Sequence, residues 1–200
     1  KILIISFTNL KKDSRVKRQT DFLKDFYKIT LVGLADPEYT NVDFIAYNPN
    51  KKLLSRIFDY IKLKTGLYKS YYWDKEMKRV KSKIILNSFD LIISNDINTL
   101  PLATSVSKSA KIIFDSHEYA PRQWENRFFW RFIYQKYITF LCKNYLSKCD
   151  VMTTVNESIS KQYFTDFGVK SQIITNSPHY HALSPGAVNK DSIQIIFNGN

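Results

Sequence analysis

The chain has 200 residues, of which 44% are apolar. This is enough for one large domain with its own core and excludes a disordered protein. Thirty Lys and Arg residues against 18 Asp and Glu give a formal net charge of +12, which indicates an anionic partner such as nucleic acid, lipid headgroups or a phosphorylated substrate.

An unbroken apolar run, Ile2 to Ile5, opens the chain and predicts a first parallel strand that is buried on both faces. Asp13 or Ser14 can cap the helix that follows, where apolar residues recur at helical spacing. Residues 29–32 and 42–47 then have the pattern of two further strands. The chain is therefore predicted to begin as a β-α-β unit.

The alternation of strand and helix patterns continues along the chain. Further strands are predicted at residues 91–93, 111–114, 151–155 and 172–175, and helices at 99–108, 124–148 and 157–167. This order predicts an α/β fold with a Rossmann-like, doubly wound parallel sheet.

The domain boundaries follow from composition. Residues 176–191 are rich in Ser, Pro, Gly, Asn and His without periodicity. We predict a domain over residues 1–178, an interdomain linker over 179–191, and the first strand of a second domain over 192–200. Because the chain starts without Met and ends within a strand pattern, we expect it to be part of a longer protein.

Cysteine and histidine spacing gives no sign of a disulfide or a zinc site. Cys142 and Cys149 lie two turns apart in one predicted helix, too distant to pair, and are expected to be reduced core thiols. His117, His179 and His181 have no standard ligand spacing. No apolar stretch is long enough for a membrane span or a signal peptide, so a cytoplasmic protein is expected.

Polar side chains follow two neighbouring predicted strands. Ser94, Asn95 and Asp96 come after residues 91–93, and the tetrapeptide at 115–118, Asp-Ser-His-Glu, comes after 111–114. Carboxyl ends of parallel strands meet at one edge of a sheet, where sites are commonly built. We therefore predict a functional site at this edge. The alternative is that these residues only cap helices or form a solvated helix entry.

The first loop lacks the glycines of a nucleotide-binding motif. No glycine precedes Gly33, which excludes both the Rossmann dinucleotide fingerprint and a P-loop. The polar residues 6–15 stand in their place, ending in Asp13, Ser14 and Arg15, and would suit a polar or anionic ligand. Alternatively, Asp13 and Ser14 only cap the helix and Arg15 is solvated.

Residues 51–83 carry most of the net charge. Eleven Lys or Arg residues against three Asp or Glu give 11 − 3 = +8, interleaved with apolar and aromatic residues. This pattern is typical of a cationic amphipathic helix on an anionic membrane, although an ordinary helix pair with a solvated basic face has it too. No nucleic-acid-binding motif is present. The predicted helix 124–148 is apolar around most of its circumference, which implies burial or contact with lipid or a partner.

Several segments resemble a known family in their order and spacing. They are residues 1–5, 13–18, 89–96, 113–118, 149–158 and 173–178. Together they resemble the acceptor-side domain of GT-B glycosyltransferases and are similar to the family 4 retaining enzymes. The resemblance covers essentially the whole chain, although none of its segments is specific alone.

The resemblance implies one half of a GT-B architecture, in which a first Rossmann-like domain holds the acceptor and a second holds a nucleotide-diphosphate sugar. Such an enzyme transfers the sugar with retention to a polysaccharide, glycan or lipid-linked acceptor, without a cofactor or a metal. Binding of the donor by the second domain would account for the lack of a glycine-rich phosphate-binding loop in this one. The domain alone is expected to be inactive.

The resemblance also implies roles for particular residues. His117 and Asp96 are the expected catalytic residues, Asn9, Arg15, Asn95 and Glu118 would bind substrate, and Gly199 would lie near the donor diphosphate. The Gly-Gly pair that many members carry in the first loop is absent, and Thr8 and Asn9 stand roughly in its place. Asp115 is expected to be structural.

The expected partners are a nucleotide sugar, a glycan or lipid-linked acceptor, and an anionic membrane surface contacted by residues 51–83. Such contact would make the protein peripheral on the inner face of the cell membrane. Nucleic acid is not an expected partner. Two alternatives remain: a sugar-nucleotide epimerase of the related two-domain type, and a non-catalytic membrane-docking or interaction domain.

Overall fold

The computed structural model describes residues 1–177 and the isolated positions Ala182, Ser184, Gly186 and Ser192. Apart from those positions, the predicted linker and the predicted strand at 192–200, including Gly199, lie outside the described residues. The descriptions below concern residues 1–177.

A single parallel sheet of seven strands organises this part of the chain, in the order β3-β2-β1-β4-β5-β6-β7. The strands are β1 (Ile2–Ile5), β2 (Ile29–Gly33), β3 (Val42–Ala46), β4 (Leu91–Asn95), β5 (Lys111–Ser116), β6 (Val151–Thr154) and β7 (Gln172–Ile173). Every neighbouring pair is parallel. The strand order reverses direction at β1, which confirms the predicted doubly wound, Rossmann-like sheet and places a crevice at the carboxyl ends of β1 and β4.

Seven α-helices connect the strands. They are α1 (Ser14–Leu23), α2 (Leu53–Lys64), α3 (Tyr68–Tyr72), α4 (Lys75–Ile84), α5 (Leu100–Val106), α6 (Gln135–Tyr145) and α7 (Glu157–Phe167). Polar caps start three of them: the side chains of Asp13, Asp74 and Asn156 accept backbone N–H groups of α1, α4 and α7. Gly168, with φ of 70°, ends α7 as predicted. Within the described chain, no helix has both the length and the apolar content needed to cross a bilayer.

Burial on both faces of the sheet explains the unbroken apolar run of β1. Ile2 and Ile4 pack on one face with Val16 of α1. Leu3 and Ile5 belong to the larger core on the other face, with residues of α4, α5, α6 and α7. Since a strand alternates its side chains between faces, both sets must be apolar.

The predicted long helix over residues 124–148 is wrong at its start and in its continuity. Residues 124–127 form turns in which Arg127 stacks over the Trp124 ring at 4.2 Å, and helical structure begins at Phe128. A π-helical turn at Trp130–Tyr134 then precedes α6, and a 3-10 turn at Leu146–Lys148 follows it. Apolar periodicity alone does not show such interruptions of a helical pattern.

The two cysteines are free, and only Cys142 lies in a helix, because α6 ends before Cys149. Cys142 is buried and Cys149 is half-buried. Burial raises the pKa of the Cys142 thiol to about 12 and that of Cys149 to about 11. Both are therefore unreactive thiols at neutral pH.

Candidate functional site

The polar ends of β4 and β5 lie side by side, as the sequence predicted. The strand register pairs Asn95 with Asp115. Asn95 is fully buried, and Asp96, the next residue, adopts φ of 70° and ψ of 151°. This backbone conformation is strained for any residue with a Cβ, and such strain is concentrated at functional sites. The Thr99 hydroxyl donates to the carbonyls of both Asn95 and Asp96 and so holds the turn in place.

Gln19 connects the two strand ends, and sequence analysis missed it. Its Nε2 donates to Asn95 Oδ1 at 3.1 Å and to Asp115 Oδ2 at 2.9 Å, while Asn95 Nδ2 donates back to Gln19 Oε1 at 3.1 Å. Gln19 is four residues after Arg15, so α1 presents both side chains on one face toward the sheet edge. The four-residue spacing from Arg15 was the feature of the sequence that could have identified Gln19.

Arg15 forms an ion pair with Asp96 and is not solvated. Its Nη2 and Nη1 donate to the two Asp96 carboxylate oxygens at 3.2 and 3.4 Å, and Asp13 lies 3.7 Å from Nη2. Burial opposes the charge on Arg15, but Asp96 and Asp13 outweigh it and raise the pKa of the guanidinium. With only 14% of its side chain exposed, Arg15 is a fixed positive charge at the crevice.

A chain of hydrogen bonds selects the tautomer of the His117 imidazole. Arg18 can only donate, so it contacts Asn176 Oδ1 at 2.8 Å, which turns the Asn176 amide nitrogen toward His117. Asn176 Nδ2 donates to His117 Nδ1 at 2.8 Å, and His117 Nε2 lies 3.2 Å from Asp115 Oδ2. His117 Nδ1 is thus an acceptor, and the proton resides on Nε2, which donates to Asp115.

Asp115 lies at the centre of the network. Thr153 on β6 donates to its second carboxylate oxygen at 2.7 Å. Burial opposes ionisation of this carboxyl, but hydrogen bonds from His117 and Thr153 and the charge of Arg15 outweigh burial and lower its pKa. Asp115 is therefore a half-buried carboxylate that orients the imidazole.

Tyr163 of α7 forms hydrogen bonds to the loop that contains His117. The Tyr163 hydroxyl lies 3.0 Å from Ser116 Oγ, donates to the Glu118 carbonyl and accepts the Ala120 N–H. Ser116 Oγ also donates to the Glu118 carbonyl at 2.9 Å. These hydrogen bonds fix the backbone of Glu118, although Glu118 is exposed to solvent.

Asn9 does not join this network. It is exposed, and its side chain accepts the backbone N–H of Lys11 at 3.1 Å, a local turn interaction. The first loop is instead held by Asp13, whose carboxylate accepts the hydroxyls of Thr8 at 2.7 Å and Ser6 at 3.4 Å.

An aromatic cavity of about 370 Å³ borders the same sheet edge. Asn98, two residues after Asp96, lies in its wall. Its aromatic lining includes Phe7, Tyr47, Tyr71, Tyr72, Trp124 and Trp130. Such walls suit the faces of sugar rings or an apolar chain, with hydroxyl and indole groups at the margins. No group of three or more His, Cys, Asp or Glu residues in the described chain is arranged to hold a metal ion.

The fold defines a class of domain, the Rossmann-like doubly wound sheet with its crevice at the strand carboxyl ends. No family model matches the sequence, and comparison with curated proteins finds no significant match. Among solved structures, the chain is similar to HepE (Alr3699) of Anabaena, whose crystal structure is in complex with UDP and glucose. The TM-score is 0.51 at 13% identity, over 88% of this chain and 44% of the HepE chain. The chain thus spans less than half the length of HepE.

Proposed function

We propose that this chain is the acceptor-side half of a GT-B glycosyltransferase that moves a sugar from a nucleotide diphosphate to a glycan, polysaccharide or lipid-linked acceptor with retention of configuration. The oriented His117 at the crevice carries the proposal. The likeness of fold to HepE, which binds UDP and glucose, supports a nucleotide-sugar donor. The absence of a glycine-rich phosphate loop after β1 agrees with a donor held mainly by a second domain.

The proposed role of His117 is to position the transferred sugar. In the arrangement described above, Nδ1 is an acceptor directed at Asn176, and a sugar hydroxyl that replaced the Asn176 amide would donate to the same nitrogen. Asp115 would hold the ring orientation while this exchange occurs. The proposed reaction is a front-face attack in which the leaving diphosphate accepts the acceptor proton, so the domain contributes positioning and charge stabilisation.

The aromatic cavity is the proposed acceptor site. It shares the sheet edge with Asn95 and Asp96 and is lined on its far side by Trp124 and Trp130. A sugar ring stacked on these aromatics would present its hydroxyl toward the crevice. The Arg15–Asp96 pair is proposed to fix the polar wall between the cavity and His117. Asn9 and Glu118, both exposed, stay proposed contacts for the outer part of the acceptor.

Turnover by the full-length protein tests this proposal. With UDP-glucose and a panel of other nucleotide sugars as donors and membranes as the acceptor source, release of the nucleoside diphosphate is measured for the wild type and for His117→Ala. We expect kcat to fall about 100-fold or more, since His117 would act on the transferred sugar. Lys161→Ala, an exposed change on α7, is the matched control and should leave turnover unchanged. Equal turnover of His117→Ala and the wild type would contradict the role of His117, and no turnover of any nucleotide sugar would contradict the transferase.

A further inference from the structure

Helix α2 is oriented with its apolar side toward solvent. Leu54, Ile57, Phe58 and Ile61 recur at helical spacing, and all four are exposed, Leu54 by 71% and Phe58 by 63%. The side that faces the protein instead contains Asp59, which is 8% exposed and bonded to Lys51 at 2.7 Å. A helix of a soluble domain normally buries its apolar stripe. The orientation of α2 therefore indicates that its apolar stripe has a partner.

A second exposed apolar segment adjoins α2. Phe128 and Phe129 are 63% and 77% exposed, and Phe132 is also exposed, with its ring centroid 4.5 Å from that of Phe128. The turn that contains Phe132 contacts α2, and together they enclose a cavity with Leu63. The exposed side chains of α2 and of residues 127–132, which lie on two elements in contact with each other, are together called the apolar surface below. Contiguous patches of this kind mark interaction sites.

Basic side chains are interspersed with the apolar ones. Lys52, Arg56 and Lys64 are exposed on and beside α2, and Arg127 and Arg131 are exposed in the second segment. The single acidic residue of α2, Asp59, is buried and neutralised by Lys51. The centres of protein–protein interfaces are depleted in Lys, whereas an anionic bilayer attracts Lys and Arg while it accepts apolar side chains.

We propose that the apolar surface docks the protein onto an anionic membrane, with the side chains of Leu54, Phe58 and Phe129 inserted among the lipids and the basic residues at the phosphate level. This inference rests on the surface itself and holds whether or not the chain is a transferase. It also names a source for the acceptor, because Tyr134 and Trp130 at the base of the second segment line the aromatic cavity. A lipid-linked acceptor would thus reach the cavity directly from the bilayer.

Vesicle sedimentation of the full-length protein tests the proposal. Vesicles of phosphatidylcholine alone are compared with vesicles that also contain phosphatidylglycerol, at low and high salt. We expect binding to the anionic vesicles only, weakened by salt. Phe58→Ser combined with Phe129→Ser should weaken binding about tenfold or more. Arg56→Gln and Lys64→Gln should each weaken it about fivefold.

The matched control is Phe22→Ser combined with Phe26→Ser. Both phenylalanines are exposed, but Phe22 lies in the last turn of α1 and Phe26 in the turn between α1 and β2, outside the apolar surface. This variant should bind vesicles like the wild type, and all variants should keep the wild-type circular dichroism spectrum and melting temperature. Binding that is indifferent to phosphatidylglycerol, or that survives the Phe58 and Phe129 changes, would overturn the proposal. So would a dimer, seen by light scattering, that the same changes dissociate while no vesicle binding is found. A wild-type protein that binds no vesicles but transfers sugar to a soluble acceptor would overturn this inference and leave the proposed function unaffected.

Discussion

Asp115 accepts hydrogen bonds from three side chains, those of Gln19, His117 and Thr153. The expectation that Asp115 is structural stays compatible with these contacts, but the contacts make it the group that orients His117. Its side chain is only 17% exposed, so water cannot fully replace a hydrogen-bond partner that is lost by mutation. An aspartate at this position is therefore needed for the geometry of the site as well as for the stability of the fold.

The lowered pKa of Asp115 predicts a pH-dependent contribution to stability. A carboxyl whose pKa is lower in the folded than in the unfolded protein, where it is about 3.9, stabilises the fold above that pH and loses this contribution as pH falls through the folded value. Asp115→Asn should lower the free energy of unfolding by about 1–3 kcal/mol at neutral pH, because its amide cannot accept all three bonds. Urea unfolding at pH 7 and at about pH 3 measures the difference.

The difference between Asp115→Asn and the wild type should narrow at about pH 3, because the carboxyl of the unfolded wild type binds a proton below its ordinary pKa and folding then has to release it. Asp36→Asn, at an exposed position, should change the free energy of unfolding by less than about 0.5 kcal/mol at either pH. A constant difference for Asp115→Asn across this range would show that the carboxylate charge is not what the network stabilises.

At the scale of elements, α2 is stabilised by few buried residues. Leu63 is 4% exposed and belongs to the main core, whereas Ile61, two residues earlier, is 46% exposed. Leu63→Ala should therefore lower the free energy of unfolding by about 2–4 kcal/mol. Ile61→Ala should change it by less than about 0.5 kcal/mol but weaken binding to anionic vesicles. Urea unfolding and vesicle sedimentation of the same two variants separate the two effects, and the reverse ranking in stability would contradict the orientation of α2.

Patterns within single elements were predictable from the sequence. The apolar run of β1 requires burial on two faces, and the polar residues at the carboxyl ends of β4 and β5 meet at one edge because the two strands are parallel neighbours. Contacts between distant elements were not predictable. Gln19 bonds across 76 residues to Asn95, and Asn176 bonds across 59 residues to His117. No local pattern encodes such pairs, since they depend on how α1 and the segment after β7 cross the sheet edge.

The orientation of α2 was not predictable either. Its apolar and basic residues gave the correct amphipathic pattern, but periodicity is identical for a stripe that faces the core and one that faces outward. The ion pair of Lys51 with Asp59 shows which side of α2 faces the protein, because it places a carboxylate on the inner side. The structure thus shows that the apolar stripe of α2 is exposed, which the proposed membrane contact requires.

At the scale of the whole molecule, three features converge on the carboxyl edge of the sheet. The His117 network, the Arg15–Asp96 pair and the aromatic cavity all border the crevice beside β1 and β4. In the proposed function, these features bind the acceptor and position the transferred sugar, while a second domain binds the donor.

A crystal structure of the full-length protein with UDP and glucose tests the central claim most directly. We expect a glucose hydroxyl to lie about 3 Å from His117 Nδ1, in the place of the Asn176 amide, while His117 Nε2 stays bonded to Asp115. Glucose bound elsewhere, with the bond between His117 and Asn176 intact, would contradict the assignment of His117 to the transferred sugar.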